Sequence, residues 1–139
     1  MSYRAAAALQ AAVYDCLCAD VVLGDLVGDA IFDAAPVTQP AGVHVALGPE
    51  EVRAARDTGG AVSRHDFVVS VMAGHEAGAG FAAVKQAAGA VSAALEQADL
   101  ATDAGRVAGL WFLRARARRM ENGVARRVDL TFRAVLDLA

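Results

Sequence analysis

Hydrophobic and polar positions alternate most clearly near the C-terminus, between Arg106 and Leu138. The pattern there predicts two long β-strands joined at Asn122-Gly123, a dipeptide suited to a two-residue turn in which both central residues need φ > 0. With those residues as the loop, Ala117 faces Val128, Ala115 faces Leu130, Leu113 faces Phe132 and Trp111 faces Ala134. All of these are apolar and share one side. The other side receives Arg116 opposite Asp129, Arg114 opposite Thr131, Arg118 opposite Arg127 and Phe112 opposite Arg133. A slip of one residue would reverse every side chain, so turn and pattern support the same register. One side is expected to be core and the other an arginine-rich surface.

The remaining chain predicts simpler elements. Residues 3–18 form an amphipathic helix with Ala5, Leu9, Ala12, Val13 and Cys16 on one face and Ser2 as its cap. Asp20 caps a short helical turn that runs through Val27 and ends at Gly28. Ala30–Asp33 and Val43–Leu47 are short strands separated by a loop with Pro36, Pro40 and Gly42. Residues 49–60, charged and ending in Gly59-Gly60, are expected to be an exposed mobile segment. Residues 61–73 form a strand with Phe67, Val69 and Val71 on one face. Both of its faces are apolar near the end, which predicts a central place in the sheet. Phe81–Gln97 is a helix with Phe81, Val84, Ala88, Val91 and Leu95 on one stripe and Gly89 where it passes close to the sheet. The fold class is α+β: a single mixed or antiparallel sheet, a long C-terminal hairpin and two main helices packed on one face, all in one domain over residues 1–139.

Composition narrows this picture. Hydrophobic residues make up 56%, much of it alanine, yet no apolar run approaches the ~18 residues of a membrane span. The expectation is a soluble protein made in the cytoplasm with no membrane partner. Charge is unevenly placed: residues 1–105 hold 5 basic and 13 acidic side chains, and residues 106–139 hold 8 basic and 3 acidic. A basic surface of this kind meets nucleic acid or an acidic protein surface, including that of a second copy.

Candidate chemistry is sparse. Gly78-Ala79-Gly80-Phe81-Ala82-Ala83 matches a dinucleotide fingerprint, but it begins several residues after its strand and precedes a hairpin, so a loop and helix start is the better reading. Of His44, His65 and His75, the last, in His75-Glu76, lacks the second histidine of a zinc-protease motif, His65 reads as a half-buried strand residue, and a combined His/Asp/Glu metal site is disfavoured. Cys16 and Cys18 point about 200° apart on a helix, which disfavours a bridge or shared metal. Glu50-Glu51 reads as a solvated loop pair. No enzyme, cofactor or metal site is expected. The candidate site is a set of arginines, Arg114, Arg116, Arg118, Arg119, Arg126 and Arg127, acting as a subunit or partner interface. With Trp111 and Phe132 expected on the opposite face and only Phe112 on the arginine side, base recognition is disfavoured. The like-charge pair Arg118/Arg127 suggests an external acidic partner.

Taken in order, the elements resemble those of the tail-completion, or tail-terminator, proteins of long-tailed phages and gene transfer agents. The resemblance rests on the alanine-rich opening helix ending near Cys18, Ile31-Phe32-Asp33 with Pro36, and the strand Asp66–Met72. It continues through the helix ending Ala94-Leu95, Arg106-Val107, Phe112–Arg119, the Asn122-Gly123 turn and Leu130-Thr131-Phe132-Arg133-Ala134. It implies a virion structural protein that forms a ring of self copies, a hexamer, at the head-proximal end of the tail. Its further partners would be the tail tube protein and a neck or head-completion protein. DNA would pass through the hole without specific recognition. A head-completion protein of the neck is the alternative within that class; a monomeric nucleic-acid-binding module using the arginine face is the alternative outside it.

Overall fold

The computed structural model describes residues 3–38, 40–54, 61–74, 81–120 and 125–138. The Asn122-Gly123 turn, Ser2, residues 55–60, His75-Glu76 and Gly78–Gly80 lie outside the described residues. Element order is α1 (Ala6–Ala19), α2 (Val21–Val27), β1 (Ile31–Phe32), β2 (Val43–Ala54), β3 (Val62–Ala73), α3 (Phe81–Glu96), β4 (Arg106–Met120) and β5 (Ala125–Asp137). Among the described residues the strands form one open mixed sheet in the order β1-β2-β3-β5-β4, with β1/β2 parallel and the other pairs antiparallel. This is the expected α+β class, with β3 in the centre as its two apolar faces require.

In α1, Leu9, Val13 and Leu17 bury one stripe at four-residue spacing. Cys16 falls at the margin of that stripe, half-buried, with its Sγ 3.8 Å from the carbonyl oxygen of Ala94 in α3. Burial raises the Cys16 thiol pKa, with a smaller contribution from Asp20. The chain turns from α1 into α2 at Asp20, whose carboxylate accepts a hydrogen bond from the Leu23 amide at 2.9 Å. Gly28 closes α2 with φ +60°, a conformation that a Cβ would strain. Asp20→Ala is expected to lower stability by ~1 kcal/mol, the usual loss of an N-cap, measured by urea unfolding.

The core lies between the sheet and the three helices. Val45, Val69, Val71, Leu130, Phe132 and Leu136 from the strands meet Leu9, Val13, Leu17, Leu23, Val91 and Leu95 from the helices. Phe132 stacks on Phe67 with centroids 5.7 Å apart. The helices cover β5 but not the full width of β4. Ala115 and Ala117 are exposed, so within β4 only the first half, through Val107 and Leu110, packs against the core.

Three local expectations are corrected. Residues 49–54 belong to β2, which runs on past Gly48-Pro49 through an irregularity between Leu47 and Glu50. A bulge tolerates a proline because the amide it lacks is not needed by the ladder. Glu50 and Glu51 are therefore strand residues on opposite faces. Gly89 is exposed on α3, with nothing within 4 Å of where a Cβ would sit, so close approach to the sheet is not its role. The hairpin register holds from Met120↔Ala125 through Arg114↔Thr131 and then shifts between Phe112 and Arg114. Beyond that point Phe112, not Leu113, faces Phe132, and Trp111 faces Arg133 instead of Ala134.

Candidate functional site

The sheet face away from the helices carries the charged groups. Arg114, Arg116 and Arg118 alternate along β4 and, with Arg127, Asp129 and Thr131 of β5, line a shallow cleft of about 260 Å³. Asp129 is its centre. Its carboxylate accepts hydrogen bonds from Ser70 Oγ at 2.6 Å, Arg127 Nε at 2.8 Å and Arg118 at 3.2 Å. Arg127 also donates to Ser70 Oγ at 3.1 Å. Burial raises the Asp129 pKa, but the hydrogen bonds from Ser70 and Arg127 and the charges of Arg127 and Arg118 outweigh it, so the carboxyl sits below its usual range. The opposed Arg118/Arg127 pair thus shares one carboxylate within the chain, which lessens its repulsion and leaves the three groups with a net positive charge. A second clamp joins Arg133 to Asp66 through two hydrogen bonds of 2.8 and 3.1 Å. The hydrogen bond from Arg133, aided by its charge, lowers the Asp66 pKa despite some burial.

Of the six arginines proposed as an interface, four share this face: Arg114, Arg116, Arg118 and Arg127. Arg119 and Arg126 pair with each other at the alternate parity, on the helix side. Arg126 lies over the Phe81 ring, 5.7 Å from its centroid, at the start of α3. No hydrogen bond or ion pair joins Arg114 or Arg116 to another described residue. These two cations on the edge strand are open to solvent and to a partner.

The register shift redistributes the aromatics. Phe112 turns to the helix side, where its ring meets Phe132 edge-on at 5.9 Å. Trp111 moves to the arginine side and lies back over Gly109; a Cβ at Gly109 would collide with the indole. The arginine face therefore carries one large aromatic, half-exposed Trp111, which periodicity had assigned to the core. On the helix side, a groove of about 330 Å³ between α3 and the hairpin is lined by Ala88, Gly89, Phe112, Ala115 and Ala117 among others.

One polar chain, buried at its serine and histidine, escaped the sequence reading. Ser63 Oγ is 2.8 Å from His65 Nε2, His65 Nδ1 is 3.6 Å from Glu50 Oε2, and Tyr3 donates to Glu50 Oε1 at 2.9 Å. The order serine, histidine, carboxylate is that of a nucleophilic triad. Ser63 and His65 are both fully buried, however, so the hydroxyl has no access to a substrate, and the histidine–carboxylate distance is too long for a hydrogen bond. The arrangement ties the β2/β3 pair to the N-terminal residues. His44, also buried, packs edge-on against Phe32 at 6.1 Å. Burial lowers its pKa, a hydrogen bond to the backbone of Gly42 opposes that, and Arg127 adds to the lowering. Among the described residues no group of three or more His, Cys, Asp or Glu could hold a metal ion.

Among the described residues the site is thus an open sheet with a long, exposed edge strand on which Arg114 and Arg116 make no ion pair. Residues 11–137 match the family described as Tail completion protein gp17, and the chain belongs to that family, giving it a structural role in a phage-type tail. It is also similar to a chain of the solved "Virion of native gene transfer agent (GTA) particle". The two are 55% identical, the TM-score is 0.88, and the match covers 98% of this chain and 99% of that one. No curated protein matches the chain.

Proposed function

We propose that this chain forms a homo-oligomeric ring, of six copies, that caps the head-proximal end of a tail tube, ends tube polymerisation and joins the tail to the capsid neck. The reading rests on the match to a gene transfer agent virion chain, which spans nearly the full length of both chains at 55% identity. Family membership as a tail completion protein supports it. The partners are then further copies of itself, the tail tube protein below and a neck protein above. DNA passes through the hole and meets the ring without base readout. The work is steric and electrostatic: the ring covers the growing end of the tube and presents a different surface to the neck. No bond is made or broken.

Deleting the gene and measuring tails by electron microscopy tests this. Tubes of uncontrolled length that lack heads are expected, with normal length restored by the intact gene. Tails of normal length that merely fail to join heads would place the chain in the neck instead. Normal particles would overturn the proposal.

A further inference from the structure

Apart from Tyr3 and Val37, the exposed large apolar side chains fall into two groups, on α2 and on β4. At one end, Trp111 and Leu113 stand on the β4 edge, 50% and 41% exposed, beside the unpaired Arg114 and Arg116. At the other, α2 packs on β2 and α3 and leads directly to β1, the opposite edge of the sheet. On α2, Val21, Val22 and Leu26 are exposed, Val22 at 62%, with exposed Asp25 among them. Positions 22, 25 and 26 fall on one helical face. Asp29 follows just beyond the helix, also exposed. No ion pair joins Asp25 or Asp29 to another described residue. One end is thus apolar with free cations, the other apolar with free anions.

We infer that these two ends are the two halves of a subunit contact: the β4 edge of one copy docks on the α2 face of a second copy. The inference deepens the ring proposed above by naming its joint. The two surfaces differ in composition and lie toward opposite edges of the sheet, which suits head-to-tail pairing, and such pairing closes a ring when the rotation permits. Charge complementarity selects a second copy as the occupant, since cation and anion are both supplied by the same chain. Trp and Arg at the centre of such a patch are the residue types that carry most interface energy. Contact is through side chains. The register shifts at both ends of the Gly109–Phe112 segment interrupt the β4 edge, and arginines flank it, which disfavours simple strand addition.

The chain's only tryptophan lies in this patch, so its own emission reports the contact. The test uses the full-length chain, with sedimentation velocity for mass and Trp111 fluorescence for burial. The intact chain should shift its emission to shorter wavelength as it associates. Arg114→Glu/Arg116→Glu and, separately, Asp25→Arg/Asp29→Arg should each weaken association ~10-fold or more and keep the emission of the monomer. Circular dichroism checks that each variant stays folded; Asp25→Asn/Asp29→Asn serves in place of the arginine variant should that one unfold. An equal mixture of the two charge-reversed variants should associate again, because each then presents the complement of the other. Association unchanged in both variants, or a mixture that stays dissociated, overturns the assignment while leaving a ring intact as a proposal. An intact chain that remains a monomer at every concentration, and within particles is not found at the tail end, removes the ring itself.

Discussion

Phe132→Ala is expected to destabilise the chain by ~3–5 kcal/mol, the range for removing a buried aromatic side chain from a packed core. Phe132 is fully buried in β5, stacked on Phe67 of β3 and met edge-on by Phe112 of β4. It therefore joins three adjacent strands at the level of the β4 register shift. For a chain of this length that loss lowers Tm by ~10–15 °C. Phe112→Ala is the matched control. Its ring touches the same neighbour but is 39% exposed, so its loss should be ~1 kcal/mol. Thermal unfolding followed by circular dichroism measures both. Equal losses would mean that Phe112 lies in the core as deeply as Phe132, and no loss at Phe112 would place it on the arginine face, against the register shift.

That shift also shows where the sequence stopped being readable. From Arg114 to Arg118 charged and apolar residues alternate, and the pairing follows from that pattern with the turn. Leu110-Trp111-Phe112-Leu113 is an unbroken apolar run. Period-two alternation carries no phase information through such a run, so an extra residue leaves no trace. Trp111 and Phe112 were consequently assigned to the wrong faces. The extension of β2 was hidden for a different reason. Gly48-Pro49 is a turn signal in isolation, and only the partner strand β3, which stays continuous opposite it, shows that the dipeptide sits at a bulge. In α1 the abundance of alanine blurs the stripe by a residue, so the pattern singles out Cys16, which is partly buried, and not its fully buried neighbour Leu17.

Within the site, the alternation of Arg114, Arg116 and Arg118 was legible because β4 is regular there. The role of Asp129 was not. Direct cross-strand pairing sets Asp129 against Arg116, yet the long side chain of Arg118 reaches it diagonally and Arg127 reaches it along the same strand. Diagonal contacts of this kind depend on rotamers and on sheet twist, which a register does not contain. The Ser63–His65–Glu50 chain was invisible for a related reason: Glu50 reaches His65 only once residues 49–54 are known to be strand. The α2 patch was legible as a helix with a cap, but its exposure follows from how the helix lies on the core.

Asp129→Asn is expected to lower stability by ~2 kcal/mol at pH 7, since it weakens charge-assisted hydrogen bonds to two arginines and leaves Arg118 opposed to Arg127. The figure is kept below that of a fully buried pair because Arg118 is 40% exposed and solvent screens it. The pH dependence gives a sharper test. The folded Asp129 pKa lies below its ordinary value, so the unfolded chain takes up the proton first as pH falls. Stability from this carboxylate is therefore present above the unfolded pKa of ~3.9 and is lost as pH drops through the folded value. Urea unfolding from pH 7 to acid should show the intact chain losing stability more steeply than Asp129→Asn, with both still declining through Asp66, whose pKa is lowered by Arg133. The gap between the two curves should be widest near neutrality and close in acid, where the native carboxyl is itself uncharged. A gap of constant width would show that Asp129 acts by shape and neutral hydrogen bonding, and that Arg118 and Arg127 find their counter-charge elsewhere.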